Sequence, residues 1–255
     1  MLQRIRSYSF LFTELVKRDF ILKYKRTTLG ILWSVLSPLA MLSIQILVFT
    51  HFFGSDIPHY MIFLFSGNLV YNYFSEATQS GLVSLASNAG IFSKVTAPKY
   101  LFVFSRNVSS LINFVVTFFA FLIFVLCDGI RPTVKFFLLL YAVLCMMIFN
   151  SGLSLILSTL YMFFRDLSYL YNIFVLALMY LSAIFYSIDS FPPAIQRLFL
   201  LNPLYVYIKY FRTIVIYNTV PSLQYHMLMA IYSVAAIGGG CLVYIKHNHK
   251  FLYYI

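Results

Sequence analysis

Acidic residues are scarce. Asp and Glu total seven in a chain of 255 residues. Glu14, Asp19, Asp56, Glu76, Asp128, Asp166 and Asp189 are scattered along it, and no two read as a general acid/base pair in one plane. Cysteine is also sparse. Cys127, Cys145 and Cys241 lack metal-like or redox spacing, and the last two sit in apolar runs as small hydrophobes. His247 and His249, two apart on a helix, point in different directions, and no third ligand is near. No metal site is expected. The chain has no G-x-x-x-x-G-K-[ST] phosphate loop, so it does not hydrolyse ATP by that route. No cofactor is expected in this chain.

Charge of either sign is low at 10%, whereas apolar residues make up 62%. The mean hydropathy is +0.87. A soluble domain of this size cannot hide so much apolar surface, so the sequence reads as a polytopic membrane protein. The net charge of +11 would suggest nucleic acid as the partner of a soluble protein. Here the basic residues cluster at segment ends as topology signals, and no nucleic-acid partner is expected. Lys17, Arg18, Lys23, Lys25 and Arg26 crowd together just ahead of an uncharged run, Leu29 to Phe53. That run is long enough to cross a hydrocarbon core of about 30 Å. The basic lead stays on the cytoplasmic face. The N-terminus does not read as a cleavable signal and is expected to be retained.

The pattern predicts an all-α polytopic membrane protein, one domain over residues 1–255, with six spans at 29–53, 60–82, 100–126, 134–161, 167–188 and 227–245. Both termini are expected in the cytoplasm. Of the 18 Lys and Arg, only Arg131, Lys135, Arg197, Lys209 and Arg212 then fall outside. Inverting the topology reverses that bias. Residues 11–26 predict an amphipathic helix lying on the membrane, with Glu14 and Asp19 spaced to pair with Lys17, Arg18 or Lys23. Residues 88–97 suit a short cytoplasmic helix between spans two and three. Pro38 is expected to kink span one. Glu76 is the sole charge in span two: either a functional acid or an interfacial one paired with a basic residue. Pro192, Pro193, Pro203 and Pro221 divide an apolar stretch into two short helices within 193–216, with Asn202 as N-cap before Pro203. Each is too short to span, so they predict a re-entrant or interfacial hairpin on the external side. Gly238, Gly239 and Gly240 allow close helix approach in the last span.

Aromatics are abundant at 20%, with 28 Phe, 21 Tyr and one Trp. Interfacial belts and helix packing account for most of them. The remainder suits a sugar, whose apolar faces and polar edges match aromatic rings and Tyr hydroxyls. A conduit must hold its cargo weakly at many points for the cargo to leave.

Four stretches resemble one family: Leu29-Gly30-Ile31-Leu32-Trp33-Ser34-Val35-Leu36-Ser37-Pro38-Leu39, Phe163-Phe164-Arg165-Asp166-Leu167, Phe185-Tyr186-Ser187-Ile188-Asp189-Ser190-Phe191-Pro192-Pro193 and Leu201-Asn202-Pro203-Leu204. With the basic lead they resemble the permease subunit of ABC-2 type polysaccharide exporters, across essentially the whole chain. That family moves lipid-linked O-antigen, capsule or teichoic acid. The resemblance implies a multi-pass protein of the plasma membrane or bacterial inner membrane. It implies a homodimer with a channel between the copies, and two copies of a separate cytoplasmic ABC ATPase that bind ATP and Mg. Membrane lipid and a lipid-linked polysaccharide, O-antigen first, are the other partners implied. Residues 11–26 match the interface helix, 88–97 the coupling helix and 193–216 two gate helices. Trp33, Phe185 and Tyr186 carry over as channel aromatics, and Tyr71 and Tyr73 join them on the sugar argument. ATPase coupling is expected at Asn88, Gly90, Ile91, Phe92 and Lys94, with Arg165 and Asp166 on the next inner turn. The gate is expected to use Pro193, Arg197, Asn202, Pro203, Lys209 and Arg212. Its three basic residues can meet lipid phosphate or sugar acids, or anchor at the interface. Rival readings are a drug or small-lipid ABC-2 exporter, a glycolipid-modifying membrane enzyme, and a channel without an ATPase. The enzyme would need clustered His and Asp or Glu at one membrane face, which the sequence lacks.

Overall fold

A computed structural model describes residues 2–25, 27–53, 57–92 and 97–253. Among them all regular structure is helical. The helices are α1 (Leu2–Tyr24), α2 (Trp33–Phe53), α3 (Tyr60–Ser87), α4 (Ala89–Phe92), α5 (Tyr100–Cys127), α6 (Leu138–Phe163), α7 (Leu167–Leu181), α8 (Pro193–Phe199), α9 (Pro203–Val215) and α10 (Leu223–His247). Short 3-10 turns lead into α2 and α6 and follow α10.

Four helical stretches are long and apolar enough to cross a membrane: Gly30–Thr50, Tyr100–Cys127, Val134–Phe163 and Leu223–Phe251. Helix α3 is equally long but more polar, because it is the axis of the bundle. It packs against α2, α5, α6, α7 and α9. A helix wrapped by other helices meets little lipid and can hold polar side chains. Ser66, Thr78 and Ser84 are buried in it, and each hydroxyl bonds back to a carbonyl of the preceding turn.

Small residues bring the helices together. A side chain on Gly152 of α6 would strike the backbone of Ala236 in α10. One on Gly240 would reach the Gly152 carbonyl oxygen at 2.5 Å, and one on Gly81 of α3 would overlap Ser154 of α6. Close backbone approach of this kind supplies packing where lipid offers no hydrophobic drive. Of the predicted glycine triplet only Gly240 makes such an approach. Gly238 faces open space, and Gly239 comes no nearer to a neighbour than 3.9 Å.

Two elements depart from expectation. Helix α7 stops at Leu181 instead of running to 188. Its 15 residues reach about 22 Å, short of a bilayer core. The carbonyls that would continue it are claimed elsewhere. Asn202 donates to Leu181 O at 3.1 Å, and Arg212 donates to Ala183 O and Ile184 O, both at 2.8 Å. Ala183 turns the chain with φ 53°. Helix α1 is strapped along α5. Leu15 packs with Phe92 and Phe102, and Tyr24 OH donates to Asn113 farther along α5 at 2.8 Å. Lys17 pairs with Glu14 at 3.1 Å, but Asp19 pairs with Arg18 and Arg106 and leaves Lys23 to reach Glu76. Of the predicted inner helix, α4 covers one turn; residues 93–96, and with them Lys94, lie outside the described residues.

Gly152→Val is expected to destabilise the fold by about 1–3 kcal/mol through overpacking. Gly238→Ala should leave it unchanged or slightly more stable. Thermal unfolding in detergent compares the two.

Candidate functional site

The end of α1, the start of α2 and the middle of α3 and α5 enclose an open cleft of about 720 Å³. Its local geometry begins with Pro38. Proline has no N–H, so the carbonyl four residues back loses its helical donor. That carbonyl belongs to Ser34, and the Thr117 hydroxyl of α5 donates to it at 3.2 Å. The bond ties the first turn of α2 to α5 and leaves Trp33 at the rim, 46% exposed.

A polar chain crosses the floor. Tyr24 OH donates to Asn113 Oδ1 at 2.8 Å, and Asn113 Nδ2 donates to Glu76 Oε1 at 2.6 Å. The other carboxylate oxygen, Oε2, pairs with Lys23 Nζ at 2.9 Å. Glu76 therefore has a basic partner and also faces a cavity. Ser37 and Asn72 are exposed and line the same cleft. A smaller recess of about 330 Å³ adjoins it and shares Lys23, Glu76 and Ser110. There the buried Asp19 carboxylate meets Arg18 at 2.7 Å and Arg106 at 3.3 Å. Arg18 also donates to Asn88 Oδ1 at 2.8 Å, which ties α1 to the end of α3. An aromatic rim over amides, hydroxyls and a neutralised ion pair can bind a polar, uncharged, ring-shaped ligand weakly.

The sequence profile of ABC-2 type transporters matches residues 11–216. The chain belongs to the ABC-2 type transporter family. It is similar along nearly its whole length to proteins named O-antigen export system permease protein RfbA. One, from Klebsiella pneumoniae, is 26% identical over 242 residues, covering 94% of this chain and 93% of the relative. A second from that organism is 28% identical over 229 residues, covering 89% and 87%. One from Myxococcus xanthus is 24% identical over 253 residues, covering 98% and 97%. An ABC-2 permease is a multi-pass membrane transport subunit.

The predicted site residues of this permease fall in four places. Trp33 and Tyr73 border the cleft; Tyr73 is 3% exposed and leans its ring on Phe114. Tyr71 and Phe185 are buried inside the subunit. Tyr71 OH donates to Val175 O, and Phe185 stacks on Phe49 at 4.5 Å. Neither is placed to touch a cargo. At the inner end, Asn88 and Phe92 are buried and hold α4 to its neighbours, whereas Gly90 is exposed and Ile91 half-buried. Arg165 and Asp166 are exposed, with the guanidinium over the Tyr161 ring.

The fourth place is the hairpin. Pro193 opens α8, where Arg197 is exposed. Asn202 caps α9 ahead of Pro203 by accepting from Leu204 N–H at 3.0 Å. Half-buried Tyr186 lines an open groove of about 760 Å³ with Phe191, Tyr217 and Asp189. Lys209 pairs with Asp189 at 2.6 Å. Arg212 departs most from expectation. It is 2% exposed and does not reach lipid or cargo. Its guanidinium donates to Phe63 O, Ala183 O and Ile184 O and lies over the Phe63 ring. The floor residues Lys23, Tyr24, Asn72 and Asn113 were not singled out as a site from sequence. Their signal is the polar spacing Asn72–Glu76 and Asn113–Thr117 on two apolar helices.

Arg212→Met strands three buried carbonyls and is expected to destabilise the permease by about 3 kcal/mol, with Arg212→Lys recovering only part. Loss of thermal stability in detergent measures this. Burial alone would raise the Asp189 pKa, but the Lys209 ammonium reverses that and holds it below the usual carboxylate value. The pairing therefore contributes fully above the ordinary carboxylate pKa, about 3.9, and is lost as pH falls through the lower folded value. Hydrogen-exchange protection at the 187–209 hairpin, corrected for the intrinsic rate at each pH, should fall on acidification, and Asp189→Asn should abolish that dependence.

Proposed function

We propose that this permease is the transmembrane subunit of an ATP-driven exporter of lipid-linked polysaccharide, with O-antigen the first cargo and teichoic acid or capsule the alternatives. The observation that carries the reading is end-to-end similarity to three O-antigen export permeases, joined to a cleft built for uncharged polar rings. Two copies form the channel, and a separate ATPase supplies the energy by binding ATP and Mg. Six crossings are formed by α2, α3, α5, α6, the α7 segment and α10, with both termini in the cytoplasm. The charged layer of Arg18, Asp19, Lys23 and Arg106 favours the inner side for α1.

In this reading Trp33 and Tyr186 touch the cargo, and the buried Tyr71 and Phe185 shape the wall behind them. The α4 turn, Arg165 and Asp166 meet the ATPase. The α8–α9 hairpin closes the outer mouth, with Arg212 as its fixed root and Arg197 on its exposed arm. Helix α1 passes motion from the ATPase to α5 through Arg18, Asp19 and Arg106.

Co-expression with an ABC ATPase should give a complex whose turnover the permease stimulates. Replacing Trp33 and Tyr186 together by Ala should lower export at least tenfold while ATPase binding is retained. Unchanged export in the double variant counts against the lining, and failure to bind or stimulate any such ATPase counts against the exporter.

A further inference from the structure

We propose that the Lys23–Glu76 pair makes the cleft beside Trp33 a subsite for uncharged sugar residues, with Glu76 as the charge filter that turns acidic sugars away. This rests on the polysaccharide reading and narrows its substrate class.

Among the described lining residues, two charged side chains face the cleft. Helix α1 contributes Lys23 and α3 contributes Glu76, with Nζ 2.9 Å from Oε2. The described residues of α2 and α5 that line it, among them Ser37, Pro38, Asn113 and Thr117, carry no charge. The adjoining recess adds Arg106 and Asp19, themselves paired at 3.3 Å, and Asp19 also holds Arg18. Among the described residues the cleft itself is therefore neutral by pairing. Both Glu76 oxygens are engaged, one by Lys23 and one by the Asn113 amide at 2.6 Å. The pair is still reachable: the Lys23 side chain is 42% exposed and that of Glu76 33%.

An acidic sugar entering here would have to take Lys23 from Glu76 or lie beside a second carboxylate. Neither arrangement returns what its carboxylate loses on leaving water. A neutral sugar meets no such conflict. Its ring face fits the exposed Trp33 indole, and its hydroxyls find the amide of Asn72 and the hydroxyl of Ser37. Glu76 sits at the base of this arrangement, with a role that a merely structural ion pair would not have: its removal should change which cargo binds.

Trp33 is the only tryptophan in the chain, so its fluorescence reports on the cleft directly. The full chain in nanodiscs is titrated with maltohexaose and with a hexamer of galacturonic acid at constant ionic strength. Maltohexaose should shift Trp33 emission saturably, and the acidic hexamer should bind at least tenfold more weakly. Glu76→Gln keeps the amide contact but frees Lys23. It should tighten the acidic hexamer at least tenfold and change maltohexaose less than threefold. The double variant Lys23→Gln, Glu76→Gln should lose that gain, which separates charge from packing. Equal binding of both probes to the unaltered chain, no response to maltohexaose, or an unchanged preference in folded Glu76→Gln overturns the proposal. ATPase stimulation is read separately, so a stimulated ATPase with a silent Trp33 sinks this inference and leaves the exporter standing.

Discussion

A buried guanidinium holds together the half of this subunit that contains α8 and α9. Among the described residues Arg212, on α9, makes no ion pair, and backbone oxygens from α3 and from the broken end of α7 surround it. A charge removed from water is tolerated when its donors are satisfied, and Arg presents them in a rigid planar fork. The arrangement solves two problems at once. It pairs carbonyls left over where α7 stops, and it fixes α9 against the first turn of α3. The proline-divided hairpin, the truncated α7 and the outer groove all follow from where this side chain lies.

The half strapped by α1 depends on a different device. Helix α1 brings a band of basic residues against the acids Asp19 and Glu76, and two carboxylates serve three cations. The same contacts that secure α1 to α5 and to the end of α3 also build the floor of the cleft. Structure and site are therefore one network here. A change in the pose of α1 cannot leave the cleft unaltered.

Long apolar runs made the helical plan legible, because length and hydropathy are local properties. Pro203–Val215 begins where the Asn202-Pro203 pair said it would. The halt of α7 at Leu181 was not legible. No Gly or Pro marks it, and its cause is a pair of side chains, Asn202 and Arg212, remote in sequence. The same holds for the fate of Arg212, which by type belongs at a surface and by position is enclosed. Glu76 was visible as an unusual acid, but its partner was not, since Lys23 lies 53 positions earlier (76 minus 23) and looks like an ordinary topology signal. Tyr71 was singled out by residue type and Phe185 by a motif, and neither tells an inward ring from an outward one.

The glycine crossings divide the subunit mechanically. Helices α6 and α10 meet at Gly152 and Gly240 backbone to backbone, and Gly81 of α3 closes on Ser154 of α6, so little there can yield to let them slide. Helix α2 is tied to the bundle by thinner means, among them the Thr117 bond to Ser34 and the Asn68 bond to Gln45. Shearing α2 sideways breaks a few polar links, whereas shearing α10 must unseat whole turns. Of the helices in this bundle, the one that carries Trp33 is therefore freer to shift than α10.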